Sequence, residues 1–279
     1  MEAFGRLLDI MDRLREECPW NHAQTVETLR PMTIEEVYEL SDAVLRHSSE
    51  ELKKELGDVL WHVVFYSKIA EEEGRYDAAD VIEKVCEKMV FRHPHVFSEN
   101  GEKMTPEEVS ENWEMIKTRE KGGNKRVLSG IPASTPSVLK ALSMQDKARG
   151  VGFDWGNPAD VWEKVKEEAG ECQVEIDALS REEGHVDPAV MSPDKESSEA
   201  FKKAYYRAEG EFGDLMFSLI NAARLYGVNP DTALQKTCAK FQRRFTYLEE
   251  ETIRKGRRLS DMTLAEMDAI WNEAKAKGL

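Results

Sequence analysis

One five-residue pattern occurs twice in this chain and constrains its fold more than any other feature. Glu35-Glu36-Val37-Tyr38-Glu39 is followed by Glu55-Leu56-Gly57-Asp58, and Glu167-Glu168-Ala169-Gly170-Glu171 is followed by Glu211-Phe212-Gly213-Asp214. Residues three and four apart on an α-helix share a face. Glu168 and Glu171 therefore project together with Glu167 on their shoulder, and Glu211 and Asp214 project together from a second helix. Glu36, Glu39, Glu55 and Asp58 repeat the arrangement. If each pair of helices packs antiparallel, four carboxylates meet across one seam. At about 5 Å and an effective dielectric of about 20, each carboxylate pair repels by roughly 3 kcal/mol. A divalent cation with hard oxygen ligands neutralises such a cluster, Mg²⁺ above all and Mn²⁺ as a substitute. A solvated Glu-rich face is the other reading of one such motif. The second copy, with Gly57 and Gly213 at the same place, favours a site or a close approach, because a glycine inside a helix costs about 1 kcal/mol against alanine.

The 279 residues suffice for two domains of ordinary size. A net charge of −15 argues against general binding to nucleic acid or anionic membranes, and it obliges any phosphate site to carry its own cations. Cys18, Cys86, Cys172 and Cys238 lack the paired spacing of a zinc or disulfide framework. The first twenty residues are too charged for a signal-peptide core, and the apolar run from Val59 to Tyr66 is far shorter than the ~20 residues that cross a bilayer. The expectation is a soluble, cytoplasmic protein with reduced thiols.

Helical periodicity runs through the whole chain and no strand pattern competes, so the expected class is all-α. Thr33-Ile34-Glu35-Glu36 reads as a capping box opening the first acidic helix, and Ser48 opens the next. Past Asp58 that second helix is apolar nearly all round, as at the centre of a bundle. The second half replays the order. Cys86, Lys88 and Arg92 return 152 residues later as Cys238, Lys240 and Arg244, and Thr105, Glu108, Trp113 and Lys117 return 158 later as Thr263, Glu266, Trp271 and Lys275. This is a domain duplication: residues 1–118 and 137–279, joined by a Gly- and Pro-rich linker over 119–136. Sixteen residues separate Glu39 from Glu55 but forty separate Glu171 from Glu211. The extra chain, about residues 180–200, reads as a mobile excursion outside the chemistry, with Glu211 and Asp214 opening the helix after it.

A di-iron carboxylate bundle is the chemical rival, but it wants Glu-x-x-His where this chain has Glu55/Asp58 and Glu211/Asp214. Each half also places a lysine and an arginine at i, i+4 (Lys88 with Arg92, Lys240 with Arg244), and the second adds Arg243. Such pairs suit phosphate oxygens, and beside a metal–carboxylate cluster they are what phosphoryl chemistry requires. Trp113 and Trp271 are core aromatics or base-stacking platforms.

The paired acidic motifs, with Cys18-Pro19-Trp20, Arg92-His93-Pro94-His95-Val96-Phe97, Val151-Gly152-Phe153-Asp154-Trp155 and Lys240-Phe241-Gln242-Arg243-Arg244-Phe245, resemble the two-domain form of the MazG family of nucleoside triphosphate pyrophosphohydrolases over nearly the whole chain. The resemblance implies tandem helical modules of the all-α NTP pyrophosphatase type, a homodimer, and Mg²⁺-dependent hydrolysis of NTPs or dNTPs to monophosphate and pyrophosphate. It assigns metal to Glu168, Glu171, Glu211 and Asp214, water activation to Glu167, and triphosphate contacts to Lys240 and Arg244, with Trp271 and Lys275 closing the site. The N-terminal counterparts are Glu36, Glu39, Glu55 and Asp58 for metal, and Lys88, Arg92, Trp113 and Lys117 for substrate. Phe91 stands where the C-terminal copy has Arg243, which points to the C-terminal copy as the catalytic one and leaves N-terminal activity open. A non-catalytic nucleotide sensor or partner-binding scaffold is the alternative function.

Overall fold

The computed structural model describes residues 2–98, 103–105, 108–109, 116, 126–254 and 256–279. Trp113, Lys117 and the first part of the expected linker lie outside the described residues. Internal contacts divide the chain into two units, Met1–Val109 and Ser110–Leu279. The class is all-α, and the only strands among the described residues are two residues long each.

The first unit comprises α1 (Glu2–Glu17), a short α2 (Pro19–His22), α3 (Val26–Arg46), α4 (Ser49–Glu72), α5 (Ala78–Arg92) and a short α6 (Pro94–Phe97). Ser48 caps α4 by accepting from the Glu51 amide, as its sequence indicates. The start of α3 differs from the expectation. Thr25 is its N-cap and forms a capping box with Thr28, so Thr33 lies mid-helix. There its hydroxyl is 3.0 Å from the Leu29 carbonyl, the i−4 bond of a helical threonine, and also meets His62 Nδ1 at 2.8 Å and Tyr66 Oη at 2.7 Å. A Thr-x-x-Glu string is therefore not a start signal here, because a better cap lies two turns earlier.

α3 and α4 form an antiparallel hairpin closed by His47 in the left-handed conformation (φ 55°). Its core gathers Met11, Leu29, Val64, Phe65 and Ile69, with Trp61 edge-on to Phe65 at 6.2 Å. Full burial of a side chain of this size contributes about 1.5–3 kcal/mol. α4 is not buried all round as expected. Leu56, Leu60 and Val63 share an exposed face at helical spacing.

The second unit comprises α7 (Ser137–Arg149), α8 (Asp160–Leu179), α9 (Glu199–Leu225), α10 (Pro230–Arg254), a 3₁₀ turn and α11 (Leu264–Ala276). α8 and α9 form its long hairpin, around Val161, Val165 and Ala222. The capping box at Thr263 and Glu266 opens α11 as its sequence predicts, and Arg257 with the Thr263 bonds holds Glu266 down at about 2. Glu211 and Asp214 do not open α9. That helix starts at Glu199 behind the Ser198 cap, so the acidic pair lies mid-helix and part of the extra chain lengthens α9. The rest forms a hairpin, β1 (Val186–Asp187) against β2 (Ser192–Pro193). Buried Ser197 ties it together, accepting from the His185 amide at 3.0 Å and donating to Asp194 at 2.8 Å. The Phe201 ring lies so close to Gly184 that a Cβ there would overlap it.

Arg15 anchors the first unit. Buried beneath the Phe65 ring, it pairs with Glu72 (Nε to Oε1, 2.9 Å) and donates to the carbonyls of Asn21, His22 and Gln24. Arg15→Met would leave those acceptors unpaired and is expected to lower the stability of this unit by about 2–4 kcal/mol in urea unfolding. The hydrogen bond from Arg15 lowers the pKa of Glu72 against an opposing effect of burial. The folded value lies below the unfolded one. The pair's contribution is therefore complete above the ordinary carboxylate range and lost as pH falls through the lowered folded value. Acid titration of wild type and Arg15→Met should show the stability gap closing in that direction.

Candidate metal centre and the cavity beside it

The carboxylates of the repeated motif converge in both copies. In the second unit Glu168 of α8 and Glu211 and Asp214 of α9 bring one oxygen each within 4.8 Å of one another, and Glu168 is buried. In the first unit Glu36 and Glu39 of α3 and Glu55 of α4 do the same, with Glu55 buried. Glu171 and Asp58 stand outside these triplets but within electrostatic range. Burial raises the pKa of Glu211, and Glu171 is the largest of the neighbouring charges that add to it. Burial likewise raises Glu36, followed by the charge of Asp58.

Each cluster contains a lysine that the motif does not predict. Lys164 bridges Glu168 at 2.7 Å and Glu167 at 2.9 Å, and these contacts raise its own pKa. In the first unit Lys54 reaches Glu55 at 3.0 Å and Asp58 at 3.8 Å. The i, i+4 spacing of Lys164 to Glu168 and of Lys54 to Asp58 is readable in the sequence. One ammonium does not satisfy the first set. Glu55 Oε2 is buried with no partner among the described residues. Converging oxygen donors and a raised carboxylate pKa in each cluster, with the orphaned Glu55 oxygen in the first, are what a hard divalent cation fits.

A cavity of about 710 Å³ adjoins the second cluster, with Lys164, Glu168 and Asp214 in its wall. The rest is mainly apolar, including Met144, Val161 and Phe217, with Val127 and Leu128 from the expected linker. Its mouth is shaped by the loop after α7. Gly152 adopts φ +85° there, a conformation open to glycine, and Asp154 receives both arms of the Arg224 guanidinium at 2.5 and 3.0 Å. Burial alone would raise Asp154, yet the bonds from Arg224 and the Trp155 amide hold it below its ordinary value. This fork positions Trp155 at the cavity.

The cationic residues group elsewhere. Arg244 of α10 donates to the Leu279 carbonyl at 2.7 Å and lies over the Trp271 ring at 5.8 Å, and Phe241 packs on that ring at 5.1 Å. Lys240, Arg243 and Lys275 are exposed. Lys240, Arg243, Arg244, Trp271 and Lys275 are not among the residues that line the cavity. In the first unit Lys88 and Arg92 lie on α5, with Phe91 half exposed between them and His93 Nδ1 on the Met89 carbonyl at 2.7 Å.

A nucleoside triphosphate pyrophosphohydrolase of Escherichia coli is 37% identical over 99% of this chain and 98% of its own length. The chain belongs to the MazG family. The family's model, described as the MazG nucleotide pyrophosphohydrolase domain, matches residues 24–97, which contain Glu36, Glu39, Glu55 and Asp58. A Thermotoga maritima protein named nucleoside triphosphate pyrophosphohydrolase/pyrophosphatase MazG is 37% identical over 98% of this chain and 95% of its own. YabN of Bacillus subtilis, an uncharacterized protein, is 40% identical over 98% of this chain, which spans 51% of it.

In this MazG chain a cation entering the second cluster would meet Lys164 already on the Glu167 and Glu168 oxygens. Lys164→Met is expected to tighten Mg²⁺ or Mn²⁺ binding about fivefold, the worth of one partly exposed ion pair, in calorimetric titration of the full-length protein. Unchanged or weaker binding would show that Lys164 belongs with the ligands rather than against the ion.

Proposed function

We propose that this MazG protein hydrolyses nucleoside triphosphates, NTP or dNTP, to the monophosphate and pyrophosphate, mainly at the C-terminal carboxylate cluster, in nucleotide-pool cleaning or regulation. The names of the E. coli and Thermotoga relatives state that activity for those proteins. One observation carries the reading for this chain. Glu168 and Asp214 belong both to the carboxylate cluster and to the wall of the 710 Å³ cavity, which gives a phosphate chain and its nucleoside adjoining places.

Glu168, Glu211 and Asp214, with Glu171 at their side, would hold the ion; Mg²⁺ suits these oxygens and Mn²⁺ can replace it. Such an ion supplies charge neutralisation at phosphoryl oxygens and a water made more acidic. Glu167, exposed beside Glu168, would orient and deprotonate the attacking water. Water adds to the α-phosphorus, and the bond to the bridging oxygen breaks with that oxygen leaving on pyrophosphate. Lys240, Arg243 and Arg244 would take up the negative charge, with Trp271 and Lys275 completing the site. Phe91 denies the N-terminal copy one of these guanidinium groups, which leaves that copy a metal-binding or regulatory role.

Separation of products after incubation with NTPs and Mg²⁺ tests the reaction: NMP and pyrophosphate are expected, and NDP with orthophosphate would refute the assigned bond. Loss of an outer-shell partner typically costs 10–100-fold in affinity or activity, so Glu171→Ala and Asp214→Ala should lose at least that much, whereas Glu39→Ala and Asp58→Ala should lose little. The opposite ranking would move the activity to the N-terminal copy.

The homodimer is part of the same proposal. Leu56, Leu60 and Val63 of α4 are exposed, and so are their counterparts Phe212, Met216 and Leu219 of α9. Apolar faces repeated at equivalent positions are what a second copy would cover. Sedimentation should find a dimer at micromolar concentration, and Leu60→Glu should shift it toward monomer.

A further inference from the structure

Asn221 of α9 stands in the wall of the cavity, and its amide is held in one orientation. Its Oδ1 accepts from Arg224 Nε at 3.1 Å and from Arg224 Nη2 at 2.8 Å. A guanidinium has donors only, so the amide oxygen faces Arg224, which Asp154 grips in turn. The NH₂ group is the part left over. It has no partner among the described residues, and it is not sealed from solvent as Gln145 Oε1 in the same wall is. The first copy fills the equivalent place. In the repeat register Leu29 corresponds to Val161, Trp61 to Phe217, His62 to Ser218 and Phe65 to Asn221. Leu29 and Phe65 are each 1% exposed in the core of the first unit, and Trp61 packs against that core. All four positions carry a smaller residue in the second copy, and all four of those smaller residues line the cavity. The ion pair beside them recurs, because Lys68 stands where Arg224 does and meets Asp12 at 2.7 Å. Large-to-small changes in a core cost stability, so an open space with an oriented amide in its wall answers to a ligand rather than to folding.

We infer that the Asn221 NH₂ group donates to an acceptor on the nucleobase, a ring nitrogen or a carbonyl oxygen, in a nucleoside site that the second copy keeps open and the first copy fills with Phe65. This rests on the proposed hydrolysis of nucleoside triphosphates. The spacing along α9 agrees with it. Asp214, Phe217 and Asn221 follow one another at three and four residues on one face. The seven residues from Asp214 to Asn221 span ~10 Å of helix, room for a ribose and a base between the metal cluster and the amide. The mainly apolar wall suits an uncharged heterocycle rather than a further phosphate. Asn221 is thus a specificity residue that touches the base and no reacting atom.

The test separates the nucleoside from its phosphates. The α,β-methylene analogues of ATP, GTP, CTP and UTP, which cannot release pyrophosphate, are titrated calorimetrically into the full-length protein with Mg²⁺. Inorganic tripolyphosphate, a phosphate chain without a nucleoside, and Mn²⁺ alone are the comparators. Asn221→Leu keeps the volume and removes the donor. It is expected to weaken at least one analogue about fivefold, the worth of one net hydrogen bond, and to leave both comparators unchanged. Asn221→Phe installs the residue of the first copy and should weaken all four analogues, again sparing the comparators. Arg224 keeps Asp154 in either variant, and far-UV circular dichroism checks that each is folded. Unchanged affinity for all four analogues in Asn221→Leu, a parallel loss for a comparator, or no binding of any analogue by the wild type would each overturn the inference. Turnover of the natural triphosphates is measured separately. If the wild type binds an analogue through Asn221 and hydrolyses none of them, the hydrolase reading falls and the inference stands.

Discussion

Repulsion among carboxylates is the constraint on which both halves of the molecule depend. Each hairpin packs an acidic stretch of one helix against an acidic stretch of the next, and a glutamate from each copy, Glu55 or Glu168, is buried in that seam. Burying a carboxylate among like charges opposes folding. The raised pKa values of Glu36 and Glu211 express that cost at the neighbouring oxygens. The apolar packing of Phe65, Val64 and Ile69 in one unit, and of Val161 and Val165 in the other, holds the hairpins closed against it. A fold that stores unfavourable charge at one place and offsets it by packing elsewhere is preorganised for a cation.

The two copies relieve the strain differently. Lys54 lies on α4 directly before the buried Glu55, whereas Lys164 lies on α8 one turn before the buried Glu168. In the repeat register Lys54 corresponds to Gly210, and Lys164 corresponds to Met32. The lysine therefore came from opposite helices of the hairpin, which separates the need for a positive charge at this seam from any one position. The carboxylates recur at equivalent positions and their counter-charge does not, as expected if the oxygens answer to a ligand and the ammonium answers only to the oxygens.

The helices and the acidic clusters were legible in the sequence because both rest on short-range periodicity. Glu168, Glu211 and Asp214 meet as their spacing implies, and Ser48 and Thr263 cap the helices they precede. Helix starts failed where two cap signals compete. Thr25 outranks Thr33 because it caps an amide that has no other partner, and Ser198 starts α9 twelve residues ahead of the acidic pair. The excursion carried no periodic signal, and its hairpin is held by the Asp194–Ser197 turn and by Phe201 over Gly184, contacts that only the folded chain brings together. Asn221 and its cavity were illegible for the same reason. A lone asparagine gives no pattern, and its meaning arises from Arg224, which is held by Asp154 from 70 residues away.

That Lys240, Arg243 and Arg244 do not line the cavity beside the second carboxylate cluster bears on how such a site is completed. Lys240, Arg243 and Arg244 belong to a helix whose Arg244 is engaged with Trp271 and the Leu279 carbonyl, and among the described residues the cavity wall beside Glu168 contains only Lys164 and Arg224 as cations. Arg224 is committed to Asp154 and Lys164 to the glutamates. A triphosphate bound there would meet a strongly acidic surface on a chain of net charge −15, and a single divalent ion would leave a residual repulsion. Two sources can supply the missing charge: α10 repositioned against the cluster, or cations presented by a second copy across the exposed faces of α9. Under the second, activity and dimerisation are one equilibrium, because the carboxylates of one chain would be incomplete without the guanidinium groups of the other. Leu60→Glu and Met216→Glu would then reduce turnover in proportion to the dimer they remove, although neither residue lines the cavity, and raising the protein concentration would restore it. Under the first, turnover per chain would be independent of concentration whatever the sedimentation profile.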